Sequence, residues 1–192
     1  MLNLATELYD EDFEIMEGEK FMSPSPHRTH MYIMGNLFFH FSMYLRKTNK
    51  GRVFTDNMDI HFPDGNLMKP DLSIVCNPEY LKHGATVYGV PDFVAEILSR
   101  STMRRDLTIK KDLYEKNGVK EYWIIDAWSK SVHVNILKDG KYFLDGVYSV
   151  YDEFEWAELT DEEKAEVKFD IPVSIFDDLT INVNDIFYKI ED

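Results

Sequence analysis

Two carboxylates stand where the surrounding sequence is apolar. Asp71 follows Pro70 and opens the run Leu72-Ser73-Ile74-Val75-Cys76, and Glu96 lies inside Phe93-Val94-Ala95-Glu96-Ile97-Leu98. On a strand, Glu96 shares a face with Val94 and Leu98, so it is half buried or at a sheet edge facing a cleft. A carboxylate taken out of water without a partner costs on the order of several kcal/mol, and is protonated, paired or bound to metal instead. Something positive must lie close. Lys110 answers by geometry: with Leu107 as origin and about 100° per residue, Lys110 falls at about −60°, between Tyr114 at about −20° and Leu113 at about −120°. A lysine inside an apolar stripe loses hydration unless it meets an anion.

Two acids converging on one point make a hard oxygen site suited to Mg²⁺ or Mn²⁺, and a neighbouring ammonium stabilises a further anion. A phosphodiester supplies that anion. The chemistry expected of Asp71, Glu96 and Lys110 is therefore metal-assisted phosphodiester hydrolysis, with Asp71 and Glu96 as metal ligands and Lys110 holding the water or a non-bridging oxygen. A paired-acid glycosidase would leave Lys110 without a use.

The elements that must position these groups read as mixed α and β. Phe13 to Met22 is an extended entry segment around Gly18, closed by Ser23-Pro24-Ser25-Pro26. Met34, Leu37, Phe38, Phe41, Tyr44 and Leu45 recur at helical spacing, predicting a helix from about His30 to Arg46 that ends near Gly51. Strand segments follow around Val53, Phe54, Met58, Ile60 and Phe62, stopped by Pro63-Asp64-Gly65. The two acid-bearing runs are buried strands. A second helix spans about Met103 to Asn117 and is closed by Gly118. Strands at Tyr122–Ile125 and Val132–Leu137 come next, with Asp139-Gly140 as a hairpin turn into Tyr142–Leu144. Strand, helix and strand across residues 92 to 126 allow a crossover between parallel neighbours. The tail is expected to form a short helix around Glu162 to Val167 and a last strand or helix near Ile181 to Tyr188.

The chain of 192 residues, 44% of them apolar, is long enough to bury one sizeable core, and one domain over 1–192 is expected, with its core at about 10–150 and an acidic extension at 151–192. The formal charge of −14 argues against a protein that coats nucleic acid or an anionic membrane through its overall field. The charge is uneven. Residues 1–19 hold seven acids and no base, and 151–192 hold 14 acids and three bases, whereas Arg100 to Lys120 carries seven bases against three acids. A nucleic acid would be met there, locally. The longest stretch without charge, Thr29 to Leu45, is 17 residues, shorter than the ~20 needed to cross a bilayer. No membrane partner is expected. A single cysteine, Cys76, and an acidic N-terminus point to a reducing cytoplasm.

Pro70-Asp71, Pro91-Asp92-Phe93-Val94-Ala95-Glu96-Ile97-Leu98-Ser99, Arg105-Asp106-Leu107 with Lys110 and Tyr114, and Gly118-Val119-Lys120-Glu121-Tyr122-Trp123-Ile124-Ile125-Asp126 together resemble the Uma2 family of the PD-(D/E)XK nuclease superfamily. Gly18-Glu19, Met22-Ser23-Pro24 and His30 resemble its opening, and Asp185-Ile186-Phe187 its end. The resemblance implies a restriction-endonuclease-like α/β core, a central mixed sheet flanked by helices. It also implies that Asp71 and Glu96 are the metal-binding acids. The superfamily's lysine two residues after the second acid is replaced by Leu98, and Lys110 would supply it from the following helix.

Glu19, His30 and Tyr114 match family positions near the expected cleft and are accessory candidates: a third acid, a phosphate or metal contact, and a supporting hydroxyl. His27 with His30 lacks the further ligands of a zinc site. Arg104, Arg105 and Lys111 lie beside the trio and would contact DNA phosphates without reading bases. The function this implies is an Mg²⁺- or Mn²⁺-dependent DNA endonuclease, cytoplasmic, bacterial and working as a homodimer. The alternative is a catalytically silent nucleic-acid-binding or protein-assembly module on the same fold.

Overall fold

The computed structural model describes residues 13–22, 26–56, 58–82 and 84–190. Strands β1 (Phe13–Met16) and β2 (Glu19–Met22) form a hairpin. Glu17 and Gly18, at φ 52° and 83°, provide the two left-handed residues that a two-residue hairpin turn requires. The acidic first twelve residues and most of the expected Ser-Pro break lie outside the described residues. Helix α1 (Arg28–Thr48) buries Ile33, Met34, Leu37, Phe41 and Leu45, and closes on Asn49 in the left-handed conformation.

β3 (Arg52–Thr55), β4 (Ile60–His61), β5 (Leu67–Met68), β6 (Leu72–Val75), β7 (Val87–Tyr88) and β8 (Phe93–Ile97) follow. Helix α2 is built from Met103–Arg105, a π-helical turn over Asp106–Lys110, and Lys111–Asn117. It ends at Gly118, whose φ of 85° meets the need for a left-handed residue. β9 (Glu121–Asp126), β10 (Ser131–Lys138) and β11 (Lys141–Ser149) complete the larger sheet, with Asp139 and Gly140 both at positive φ in the expected turn. The remainder is α3 (Glu153–Glu158), α4 (Asp161–Glu166), the two-stranded β12 (Asp170–Pro172) and β13 (Thr180–Asn182), and α5 (Val183–Ile186).

The larger sheet runs β11-β10-β9-β8-β6-β3. It is mixed: β8 and β9 are parallel and joined through α2, while the other neighbours are antiparallel. A smaller sheet, β2-β1-β5-β4-β7, is formed by the hairpin and the segments between β3 and β8.

Alternation along the strands sends side chains to two cores. Leu72, Ile74, Phe93, Ala95, Ile97, Trp123 and Ile125 pack on the side of α1. Val94, Leu98, Tyr122 and Ile124 pack on the side of α2 and the smaller sheet, with Leu113, Tyr114, Met16, Ile60 and Met68. Ile171, Val173, Phe176, Ile181, Val183 and Ile186 join the α1-side core. The acidic C-terminal stretch, set outside the core in the sequence reading, thus contributes these six side chains and Phe187 to it. Among the described residues, no helix is long and apolar enough to cross a membrane.

Candidate active site

Glu96 lies on β8, a central strand, and points to the α2 side with Val94 and Leu98, fully buried. Lys110 and Tyr114, four residues apart on α2, reach the same carboxylate oxygen. The Lys110 ammonium donates to Glu96 Oε1 at 2.9 Å and the Tyr114 hydroxyl at 2.6 Å. Asp71, just before β6, accepts from the Ile97 amide at 2.6 Å and lies 3.0 Å from His30 Nε2 at the start of α1. Because β6 and β8 are neighbours, Asp71 and Glu96 line one cavity of about 730 Å³, with Lys110 and His30 on its wall.

Two further acids share this cluster. Glu14, on β1, is buried, with one oxygen ion-paired to Lys110 at 3.0 Å and accepting from the Lys69 amide at 3.0 Å; its other oxygen lies 3.7 Å from Arg105. Asp106, at the start of the π turn, sits 3.7 Å from Lys110. Its Oδ1 is buried with no hydrogen-bond partner among the described residues. Glu14 was not among the residues singled out from the sequence, although Phe13 and Ile15 flank it as apolar residues flank Glu96. Its signal is alternation, since it shares a strand face with the buried Met16.

The electrostatics follow from four carboxylates in one buried place. Burial pushes the Glu96 carboxyl well above the usual range, and the Lys110 charge only partly opposes this. Asp106 is raised for the same reason, with Lys110 again opposing. Burial works against the Lys110 charge, yet Glu96, Glu14, Asp106 and Asp71 outweigh it and hold the ammonium above its ordinary pKa. Burial also works against the charged form of His30, but the hydrogen bond to Asp71 and the charges of Asp71, Asp56 and Asp106 together outweigh it and raise its pKa. The upward shifts thus have two causes: desolvation for Glu96 and Asp106, and the surrounding carboxylates for Lys110 and His30.

Hard carboxylate oxygens on one cavity wall, with Asp106 Oδ1 buried and lacking a hydrogen-bond partner among the described residues, fit Mg²⁺ or Mn²⁺. Among the described residues, no group of three or more His, Cys, Asp or Glu forms a ready ligand cage. Mg²⁺ commonly uses one or two carboxylates, with waters and substrate phosphate supplying the rest.

The other sequence candidates divide. Tyr114 and His30 touch the central acids, but Glu19 is exposed on β2 and does not line the cavity. Arg105 lines the cavity, turned toward Glu14, whereas Arg104 is exposed and neither it nor Lys111 lines the wall. The helical wheel placed Lys110 correctly inside but with a misplaced centre. Leu107, its origin, is 42% exposed, because the π turn breaks the regular 100° step.

A mixed sheet with a helix-linked parallel pair, layered by helices and carrying buried acids at adjacent strand ends, defines the restriction-endonuclease-like class. The model of the Uma2 family, described as "Putative restriction endonuclease", matches residues 2–167, and the chain belongs to that family. The fold is similar to the crystal structure of a "putative nuclease belonging to DUF820" from Anabaena variabilis ATCC 29413, with a TM-score of 0.70 and 19% identity over 97% of this chain and 98% of that one. No curated protein matches.

Proposed function

We propose that the protein is a metal-dependent DNA endonuclease in which Asp71 and Glu96 hold Mg²⁺ and Lys110 stabilises the reacting phosphate or water. The observation that carries the reading is the meeting of Lys110 with Glu96 at 2.9 Å on the wall that Asp71 also lines. When bound, the metal would activate water and offset charge on the phosphoryl group. The chain's own groups prepare the site. The Ile97 amide fixes Asp71, the Tyr114 hydroxyl orients Glu96, and the Lys110 ammonium supplies a permanent positive charge in a desolvated place, where it counts most. Arg105 is the cavity-lining candidate for a phosphate contact, with Arg104 and Lys111 acting farther out. The proposed setting is the cytoplasm, and the proposed working unit is a homodimer that presents two sites to two strands.

Plasmid cleavage with Mg²⁺ or Mn²⁺ tests this. Wild type is expected to nick or linearise DNA, EDTA to abolish cutting, and Asp71→Ala, Glu96→Gln and Lys110→Ala each to lower the rate by at least about 100-fold, the range lost with one charge-stabilising group. Equal cutting by all four proteins removes the assignment. A silent binding module is favoured by one observation: Lys110 is shared among Glu96, Glu14 and Asp106, as in a structural ion-pair cluster. That reading predicts nucleic-acid or protein association with no cleavage under any divalent metal.

A further inference from the structure

The parallel pairing of β8 and β9 sets Ile97 opposite Ile125, and the Leu98 amide extends the ladder to the Ile125 carbonyl at 2.8 Å. The two chains therefore leave the sheet side by side at their C-terminal ends. Three residues beyond each paired position stand Arg100 and Trp128, and both line the mouth of the cavity that holds Asp71, Glu96 and Lys110.

Trp128 is 54% exposed, and no aromatic ring among the described residues packs on it. Its backbone is nonetheless held in place. Asp126 Oδ1 accepts from the Trp128 and Ser129 amides at 2.9 and 3.4 Å, clamping the turn that carries it. The Arg100 guanidinium lies 6.0 Å from the indole centroid. Beside it, the Ser99 hydroxyl bonds those of Ser101 and Thr102 at 3.1 and 2.8 Å, so the same loop lines the mouth with hydroxyl groups.

An exposed indole costs solubility without adding to the core, and a flat π face beside a cation is the pairing that binds an unstacked base and its phosphate. A base inside an intact duplex has both faces covered by its neighbours and cannot use such a face. We propose that Trp128 and Arg100 form a subsite for an unpaired nucleotide, so that the substrate is DNA with a single-stranded or extruded nucleotide beside the bond to be cut. The substrate preference rests on the nuclease reading above; the stacking subsite does not.

Binding and cleavage separate the two. Fluorescence anisotropy with a labelled single-stranded oligonucleotide and its perfect duplex is measured in EDTA and again with Ca²⁺, for wild type, Trp128→Phe, Trp128→Ala and Arg100→Ala. Wild type is expected to prefer the single strand. Trp128→Ala should weaken single-strand binding by roughly ten- to a hundred-fold, the range of base–aromatic stacking, while Trp128→Phe keeps most of the affinity and duplex binding is unchanged. Wild-type preference for the duplex, lack of single-strand binding in both conditions, or Trp128→Ala binding the single strand like wild type overturns the subsite. If the subsite behaves as expected and no Mg²⁺- or Mn²⁺-dependent cutting occurs, the stacking site stands and the nuclease reading falls. If wild type cuts and Trp128→Ala keeps the wild-type rate and preference on unpaired over paired substrate, the subsite falls and the nuclease reading stands.

Discussion

Glu14 carries more of the site than its place in the sequence suggests. It bridges the Lys110 ammonium, the Arg105 guanidinium and the Lys69 amide from a short edge hairpin, and it does so buried. Replacing it with Gln leaves two cations with fewer acids in a desolvated cluster. Lys110 keeps Glu96, so the expected loss is near the lower end for a broken buried pair, about 3 kcal/mol. Glu19→Gln, on the exposed strand of the same hairpin, should change stability by less than about 0.5 kcal/mol. Urea unfolding of both variants checks this, and equal midpoints would mean that Glu14 is not holding the cluster. The contrast also shows what the sequence revealed at this scale. Asp71, Glu96 and Lys110 were legible because each violates the apolar pattern around it. Asp106 was not, because an acid between Arg105 and Leu107 looks ordinary until the chain folds, and Glu14, though flanked by Phe13 and Ile15, sits in an apolar run of only four residues beside a string of acids.

Elements position these groups through register, and the clearest case outside the site is β9. Glu121 begins that strand fully buried, accepting from Trp123 Nε1 at 2.7 Å, Ser174 Oγ at 2.6 Å and the Ile175 amide at 3.3 Å. It ties the C-terminal segment to the central sheet. Burial raises its pKa above the ordinary 4.5, and the three donors only partly oppose this. The folded state therefore holds this proton to higher pH than the unfolded state, so stability falls as pH climbs from about 4.5 through the folded value. Glu121→Gln removes that titration. Its unfolding free energy, followed by chemical denaturation at several pH values, should decline less steeply across this window than that of wild type, whatever its absolute height. Parallel slopes would show that Glu121 does not titrate differently on folding. Strands, hairpin turns and the crossover were readable from apolar runs and from Asp139-Gly140 and Gly118. The π turn of α2 was not, since periodicity assumes one angular step throughout, and only contacts such as Tyr122 Oη–H to the Asp106 carbonyl at 3.0 Å show the backbone opened there.

At the scale of the whole molecule, a protein of charge −14 must hold a polyanion through a small cationic region. Affinity should be weak and strongly salt-dependent, with log K falling by about 0.9 per duplex phosphate neutralised, or about 0.7 on a single strand, for each decade of salt. The three basic residues expected at DNA from the sequence do not stand alike. Arg104 is exposed and Lys111 half-buried, and neither lines the cavity. Arg105 is largely buried, 3.7 Å from Glu14 and with its guanidinium 5.5 Å from the Phe21 ring centroid. Arg104→Ala and Lys111→Ala should each weaken binding evenly across sequences and reduce the salt slope by about one phosphate's worth, with unfolding unchanged. Arg105→Ala should lower stability as well, because it strips a partner from buried Glu14 and leaves packing space beside Phe21. Titrations of labelled oligonucleotide at four or more salt concentrations, paired with melting curves, distinguish these outcomes. A full salt slope retained by both Arg104→Ala and Lys111→Ala would take these two side chains out of the phosphate track and leave it to cations that line the cavity, Arg105 and Arg100 among them.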